Sequence, residues 1–417
     1  MKPIFSFGIM SDCQYADYPD LDDGLFDRRY RLAKSKLKDA VEFFDKHNLE
    51  FVVHLGDLID QDAKSFETVM PICDSSKNEI WQVLGNHDFY GANYELIGNP
   101  KEVIKQLGMS EPYYSKIVKG YRFIILDTNE EGVIETRQGS PEYKRGLEIV
   151  NEYKEQGKVN AKEWNGRISQ KQHEWLQNEL IQADEKSQNV IIFSHHGLFP
   201  KHRENMLNDE PMLLELSKCK NLKAYINGHN HDGDYGQFQH LHCLTVKGMV
   251  DTGENSYAIA RVYDNHIEIE GFGREPSRKL DFTTSGSING AFTILKYKDK
   301  YIFQDRENKP DIAEPGLLSG FGGKTEKVDA SFLENAKREL KEETDLPVDD
   351  LEFKRLGILN SDKPGLCEAY LVEITDNHFK VFEGKGYKQL TMDQIRSMDM
   401  SKFSITARQM IEHHLIS

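Results

Sequence analysis

A layered α/β domain followed by a smaller α+β domain is the architecture this chain predicts, and three observations predict it. Over the first two-thirds, short apolar runs alternate with helical patterns, as strands and helices do in layered α/β folds. From Cys243 onward strand-like runs follow one another, until a small polar segment, TTSGSIN at 283–289, separates two regions of different pattern. The chain is also 417 residues long, more than one ordinary core organises. The expected division is a first domain over 1–282, a linker over 283–289 and a second domain over 290–417.

The elements of the first domain are read in chain order. Compact apolar runs at Phe5–Met10, Phe51–His54, Ile80–Leu84, Phe123–Leu126, Val190–Phe193 and Ala224–Ile226 are strand candidates. Arg29–His47 carries Leu32, Leu37, Val41 and Phe44 at helical spacing. Ser169–Ala183 opens with a capping-box spacing, Ser169 to Gln172, and is expected to bury Trp175, Leu176 and Leu180. Cys243–Val246, Tyr257–Val262 and His266–Phe272 then read as strands. In the second domain, strands at Ala291–Lys296 and Tyr301–Gln304 precede a glycine-rich loop and one strongly amphipathic helix. A strand near Cys367–Val372 and a helix around Ser404–His414 complete it.

Composition narrows the function classes. The formal net charge of -16 argues against a polyanionic partner such as duplex DNA, which needs a basic face. Small phosphorylated substrates stay open, because metal ions supply local positive charge. The five cysteines, Cys13, Cys73, Cys219, Cys243 and Cys367, form no C-x-x-C pair and read as reduced thiols of a cytoplasmic protein. The N-terminal run is short, is interrupted by Ser6 and Ser11, and reads as a first strand. No stretch reaches the ~20 apolar residues of a membrane span. Neither nucleic acid nor a membrane is therefore expected as a partner, and the oligomeric state is left open; small nucleotide-derived substrates are what the resemblance given below implies.

Five polar clusters follow the strands of the first domain: Asp12-Cys13-Gln14, Gly56-Asp57-Leu58-Ile59-Asp60, Gly85-Asn86-His87-Asp88, Ser194-His195-His196 and Gly228-His229-Asn230-His231. One aspartate after a strand is ordinarily a cap, but five such clusters in one domain point to a metal site. Hydrolysis of a phosphoanhydride needs a strong nucleophile and neutralised phosphoryl oxygens, and two divalent ions ~3.5–4 Å apart provide both. A ligand shared by two ions must be a carboxylate, and Asp57 fits. Mixed His, Asn and Asp donors suit Mn, Fe or Zn better than Ca. The neighbouring glycines are expected to let the backbone turn sharply toward the ions.

At these residues the chain resembles the calcineurin-like metallophosphoesterases, and within them the manganese-dependent ADP-ribose/CDP-alcohol diphosphatases. The resemblance spans roughly 4–282 and rests on FGIMSDCQYAD, HLGDLID, GNHDFY, RFIILD, NGRISQKQHEWL, SHHGLFP, NGHNHDGDY and GFGREPSR. It implies a four-layer αββα sandwich. It implies that Asp12, Gln14, Asp57 and His231 hold one ion and Asp57, Asn86, His195 and His229 the other, manganese being favoured. His87 is implied as the proton donor or oxyanion stabiliser. Gln14 stands where most of the superfamily has histidine, and the diphosphatase subgroup has glutamine there. Arg28, Arg29 and Tyr30 match a basic-aromatic stretch of that subgroup and, with His196, are expected to contact substrate. Asp60 and Asp88 are expected to orient ligands or cap helices.

The second domain carries GFGGKTEKVDASFLENAKRELKEETDL at 320–346, with Glu339, Glu342 and Glu343 at i, i+3 and i+4 on one helical face. Like charges so placed repel and need compensation, which bound Mg or Mn supplies. Ser331 and Glu334 have capping-box spacing, and Phe332, Leu333, Ala336 and Leu340 form the apolar stripe. Gly323, Arg338, Glu339, Leu340, Glu342, Glu343 and Leu346 resemble a Nudix box. That resemblance implies an α/β/α sandwich over roughly 287–417, the three glutamates as Mg or Mn ligands, Glu342 and Glu343 as catalytic groups, and Arg338 as a structural tie. Asp329 is nearest to the early glutamate of the box, and Asp345 replaces its closing glycine. The leading expectation is a bifunctional hydrolase of nucleoside-diphosphate derivatives. The alternative is a phosphodiesterase or phosphomonoesterase with a ligand-sensing second domain.

Overall fold

The computed structural model describes residues 2–22, 27–89, 99–282, 288–309, 315–360 and 366–411. The chain divides into two compact units, one comprising Met1–Gly236 with His240–Thr283 and the other Gln237–Gln239 with Thr284–Ser417. Of the expected linker, 283–287 lie outside the described residues, and Ile288 and Asn289 open a strand.

Two six-stranded sheets build the first unit. The first has the order Arg278–Asp281, His266–Gly273, Ser256–Val262, Phe5–Met10, Val52–His54, Ile80–Gln82. Its last three strands are parallel to one another, and the pairing of Phe5–Met10 with Ser256–Val262 is antiparallel. The second sheet has the order Asp234–Phe238, Leu241–Thr245, Leu222–Asn227, Asn189–Ser194, Tyr121–Ile125, Tyr114–Val118. Its middle pairings are parallel.

Strand alternation decides what each face buries. Phe5, Phe7 and Ile9 point between the sheets, where they join Phe51, Val53, Trp81, Phe123, Ile125 and Phe193 in one buried cluster. Its centre is aromatic: the Phe51 ring stacks on Trp81 with centroids 3.6 Å apart and meets Phe123 edge-on at 5.0 Å. The outer face of the first sheet is covered by the helix Tyr30–Phe44, whose Ala33, Leu37, Val41 and Phe44 pack with Met10, Val52 and Ile259. The helix Gln170–Glu185 covers the other sheet, so the layers run helix, sheet, sheet, helix.

Local capping agrees with the sequence reading at Ser169, whose hydroxyl accepts from the Gln172 backbone N–H at 3.2 Å. The Gln172 side chain does not close a reciprocal box. Its amide bridges both backbone groups of Asp127, at 2.9 and 2.8 Å, and so ties the helix to the loop after Tyr121–Ile125. Trp175 is only half-buried, against Tyr113.

The second unit has a mixed sheet with the path Leu318–Ser319, Lys300–Asp305, Ile288–Tyr297, Leu366–Glu373, Phe353–Asn360, to which Phe321–Lys324 and Tyr387–Thr391 also pair. The pairing of Ile288–Tyr297 with Leu366–Glu373 is parallel. The helix Phe332–Glu343 packs Ala336 against Ala291 and Tyr370, and Leu340 with Leu295 and Phe321. Ile395, Phe403, Ala407 and Met410 join Phe292, Ile294 and Phe303 in a separate cluster. Of the final helix expected over 404–414, Ile405–Met410 is helical and 412–417 lie outside the described residues. Among the described residues, no helix is long and apolar enough to cross a membrane.

Candidate metal centre

Every N-terminal candidate ligand follows the C-terminal end of a strand with a parallel neighbour: Asp12 and Gln14 after Phe5–Met10, Asp57 after Val52–His54, Asn86 after Ile80–Gln82, His195 after Asn189–Ser194, His229 and His231 after Leu222–Asn227. That is where open α/β sheets leave a crevice for ligands. The turns are tight enough that four of the candidates, Asp12, Gln14, Asp57 and His229, adopt φ of 50°, 45°, 58° and 68°. Non-glycine residues in this region cost free energy and cluster at functional sites.

The expectation that glycines supply the turning backbone is therefore corrected in part: the ligands themselves take the left-handed conformation, and the glycines mainly make room. A Cβ on Gly85 would lie 2.2 Å from both the backbone nitrogen and Oδ1 of Asp57, and one on Gly228 would lie 2.0 Å from Ser11 Oγ. Asp88 ties two of the turns together, accepting from the backbone N–H of Gly85 at 2.9 Å, Asp57 at 3.1 Å and Leu58 at 2.8 Å.

The side chains converge as two groups that share one carboxylate. Ligand atoms of Asp57, His195 and His229 lie within 4.8 Å of one another, as do those of Asp12, Asp57 and His231. Asn86 Oδ1 is 2.9 Å from His195 Nε2, and Gln14 Nε2 is 2.9 Å from Asp57 Oδ2 and 3.2 Å from His231 Nε2. Gln14 Oε1 is buried without a hydrogen-bond partner, and a half-turn of the amide interchanges it with Nε2.

Each histidine is fixed from behind, so that one ring nitrogen faces the cluster. His195 Nδ1 donates to the Leu55 carbonyl at 2.8 Å, His229 Nε2 to Asn165 Oδ1 at 3.0 Å and His231 Nδ1 to the Asp251 carboxylate at 3.1 Å. This is how imidazole ligands are oriented in metal sites. Asp251 is itself held by backbone: the buried Lys36 ammonium donates to the carbonyls of Met249, Asp251 and Thr252 at 2.8, 3.0 and 2.6 Å.

The facing atoms are lone-pair bearers. His195 Nε2 lies within 3.3 Å of Asn86 Oδ1, His229 Nδ1 and Asp57 Oδ2, and one proton satisfies at most one of these. Burial alone would depress the imidazole pKa values, but Asp57 and Asp12 outweigh it and raise His195 to about 9. Asp12 and Asp251 likewise outweigh burial and raise His231 to about 10. Burial and His195 hold His229 below the usual imidazole range, so the pocket draws protons at two of its three candidate imidazoles, and its donors fit two divalent cations held through Asp57.

A profile of the calcineurin-like phosphoesterases matches residues 5–233. The chain belongs to that family. It is an enzyme of the hydrolase class, and a manganese-dependent ADP-ribose/CDP-alcohol diphosphatase of Bos taurus is 28% identical over 318 residues, 67% of this chain and 94% of that protein. The diphosphatases of the same name from Homo sapiens and Arabidopsis thaliana are 28% and 26% identical, each over 67% of this chain and over 93% and 98% of their own lengths. Among solved structures, a dimetal phosphatase from Danio rerio aligns with a TM-score of 0.60 at 25% identity, covering 68% of this chain and all of its own.

The expected substrate contacts of this phosphoesterase fare unequally. His196 is fully buried, with Nδ1 2.7 Å from Thr128 Oγ1 and Nε2 donating to the Trp164 carbonyl at 3.1 Å, so its ring braces the 164 loop and has no nitrogen left for a substrate. Arg29 pairs with Asp20, Asp22 and Asp27 of the acidic loop, which answers its charge there. Tyr30 packs with Ala16 and Val250 and is 4% exposed, so its ring belongs to the core. Arg28, half-buried among Tyr30, Asp251 and Asp60, is the one of the three whose charge lies beside the centre. Tyr90 of the GNHDFY motif lies outside the described residues.

Asn165, Asp251, Glu204 and the Leu55 carbonyl went unmarked in the sequence. Asn165 falls within the quoted NGRISQKQHEWL stretch, but nothing in its residue type pairs it with His229.

The helix glutamates of the second unit are arranged differently. Arg338 donates to Asp329 at 3.0 Å, Glu339 at 2.8 Å and Glu342 at 3.0 Å. Asp329 thus anchors the arginine despite the departure noted at its position. The Ser331 hydroxyl caps the helix through the Glu334 N–H at 3.2 Å. Glu343 is buried, takes hydrogen bonds from Gly322 N at 2.9 Å and Gln304 Nε2 at 3.3 Å, and has its pKa raised to about 8 by burial and by Glu383 and Glu339. Here the repulsion on the helix face is relieved by one arginine and one retained proton. Among the described residues the three glutamates do not form a third ligand group like the two of the first unit. A cavity of about 340 Å³ lined by Gln304, Arg306, Glu307, Phe382, Glu383 and Gly384 adjoins Gln304 and hence Glu343.

Proposed function

We propose that the first unit hydrolyses the phosphoanhydride of nucleoside-diphosphate derivatives such as ADP-ribose or CDP-alcohols, giving a nucleoside monophosphate and a phosphorylated alcohol or sugar, with manganese as the preferred ion. The observation that carries this reading is the pair of ligand groups joined at Asp57, together with the activity named for the relatives that span this unit.

Two bound divalent ions supply acidified water and neutralise phosphoryl oxygens. Asp57 would hold both, with Asp12, Gln14 and His231 completing one set and Asn86, His195 and His229 the other. His87 carries the proton for the leaving oxygen. Burial would lower its pKa, but Asp60, 3.1 Å away, and Asp57 raise it when no cation answers their charge. Arg28 offers its guanidinium to the distal phosphate.

For the second unit, the reading is a Nudix-like hydrolase of a related nucleoside diphosphate, with Glu339, Glu342 and Glu343 holding Mg or Mn. A second reading, a ligand-binding module, is favoured by Arg338, which already pairs with Glu339 and Glu342.

Turnover of ADP-ribose, CDP-choline, cyclic AMP and p-nitrophenyl phosphate, each with Mn and Mg, tests the proposal. The two diphosphates should dominate with Mn, and preference for either of the others removes it. His87→Ala should lower diphosphate turnover by ~10²–10⁴-fold while both ions stay bound, and loss of an ion in that variant makes His87 a ligand.

A further inference from the structure

The helix Tyr30–Phe44 carries a lysine on its buried face. Lys36 stands with Ala33, Leu37 and Ala40 in that stripe and is 3% exposed. Burial and Arg274 push its pKa down to about 8, so the ammonium is held there at a cost that a methionine of similar length would not incur. An ammonium has three N–H groups, and all of them are spent on one short segment, at the carbonyls of Met249, Asp251 and Thr252.

That segment, 248–252, is tied to the candidate ligands of one ion. Gly248 N donates to the His231 carbonyl at 3.1 Å, Met249 N to Ser11 at 2.9 Å and Val250 N to Asp12 at 2.9 Å. Arg274 donates to the Gly248 carbonyl, and Arg29 N to the Val250 carbonyl at 2.9 Å. Thr252 closes the segment with φ of 60°, a conformation that costs free energy and persists where its surroundings impose it. From within the segment the Asp251 carboxylate meets His231 Nδ1 at 3.1 Å. The other two imidazoles are supported elsewhere: His195 by the Leu55 carbonyl at 2.8 Å, and His229 by Asn165 Oδ1 at 3.0 Å with Glu204 Oε2 at 3.4 Å.

We propose that Lys36 is a positioning residue for one ion of the pair: by clamping the segment 248–252 it fixes Asp251 and, through it, His231, and so sets the affinity of the set formed by Asp12, Gln14 and His231 without touching the other. This rests on the reading of the first unit as a two-ion centre. A carboxylate fixed behind an imidazole sets the ring's orientation and raises its basicity as a ligand. Asp251 can do so only while its own backbone stays in place, and the ammonium bonds the carbonyls of that residue and of the strained one after it. A buried cation far from the ions thereby makes the two sets unequal.

The test is binding of manganese to the metal-stripped, full-length protein, read by equilibrium dialysis and by electron paramagnetic resonance, which separates a spin-coupled pair from a solitary ion. The unaltered protein should take up a coupled pair. Lys36→Met should weaken one ion by ~10-fold, the lower end of what outer supports of metal ligands carry, and leave the other within about twofold. The weakened ion should be the one that His231→Ala loses, and the retained one that which His229→Ala loses. Lys36→Gln keeps two N–H donors and should fall between Lys36→Met and the unaltered protein; it also decides the matter if Lys36→Met does not fold. Asp251→Asn should weaken the same ion by ~10–100-fold, and adding Lys36→Met to it should cost little more, because both act on His231 and such effects do not add. Full affinity for both ions in the Lys36 variants, equal weakening of both, weakening of the ion that His229→Ala loses, or additive effects with Asp251→Asn overturn the proposal. Uptake of a solitary ion by the unaltered protein overturns the two-ion reading instead. No substrate enters the experiment, so failure of the diphosphate reading leaves its outcome unchanged.

Discussion

The two acidic sites of this chain recruit similar donors and organise them in opposite ways. In the first unit the ligands come from five turns of two sheets, four of the ligands in three of those turns have positive φ, and each imidazole is held from behind by an acceptor of its own. The second unit draws its carboxylates from a single helical turn, where Arg338 pairs with two of them and Glu343 keeps its proton to about pH 8. The difference teaches how a cluster of charge is made into a binding site. A single helix can offset part of its carboxylate charge with one arginine, whereas the site assembled from distant turns sets its carboxylates beside imidazoles, whose protons cations displace on binding.

The largest effect that tests this contrast comes from the shared carboxylate. Asp57→Asn should reduce hydrolysis by the first unit to background and lower the bound metal, with circular dichroism unchanged, because both ligand groups lose their common member. Near-normal turnover with two ions bound would show that the site does not depend on a bridge.

A smaller effect is expected one layer out. Asn165→Ala removes the acceptor that fixes His229, and groups of this kind are typically worth ~10–100-fold in metal affinity or activity. Metal titration with a competing chelator measures it. Unchanged affinity would mean that Glu204 alone orients the ring.

In the second unit the test is a pH slope. Glu343 keeps its proton in the folded state up to about pH 8, whereas an unfolded glutamate loses it near 4.5. Between those values the folded state binds the extra proton, so stability falls as pH rises, by up to ~1.4 kcal/mol per unit. Glu343→Gln should flatten this slope, read as hydrogen-exchange protection of Phe332–Glu343 corrected for intrinsic rates. Added Mg should flatten it too if Glu343 is a ligand, since a cation holds the carboxylate ionised. An unchanged slope with saturating Mg favours the binding-module reading.

The smallest effect is expected across the two units. Replacing Glu339, Glu342 and Glu343 together with glutamine should leave hydrolysis by the first unit within about twofold, because the two sites share no ligand and independent sites act additively. Loss of that activity in a folded chain would show that the units are coupled.

Much of the fold was legible because burial imposes a period on the chain. Phe5–Met10 was delimited from its apolar run alone, and the other first-unit strands read from the sequence agree to within a residue or two, since a strand covered on both faces tolerates few polar residues, whereas the sheet strands Tyr114–Val118, Asp234–Phe238 and Arg278–Asp281 were not read. The candidate ligands were legible because their types are rare together at strand ends. Their supports were not. Leu55 and His195 are 140 residues apart, and Asn165 and His229 are 64 apart, and a leucine carbonyl or a loop asparagine carries no signature of what it will hold. His196 shows the converse: its place beside His195 suggested a substrate contact, but successive residues at a strand end face opposite ways, and the second histidine turned toward Thr128 and Trp164.

The amino-acid sequence by itself determined that there are two patterned regions, that the first alternates strand and helix, and that Asp12, Gln14, Asp57, Asn86, His195, His229 and His231 are the residues to watch. Those properties are local: periodicity and residue type are carried by neighbours along the chain. Only the tertiary structure decided that Asn165 and Asp251 hold the ligand imidazoles from behind, that Arg28 and not Arg29 lies beside the centre, and that Arg338 pairs with the helix glutamates. Each of these depends on which groups face one another across turns and sheets, and that is set by how the strands pair and the layers pack, which no local pattern encodes.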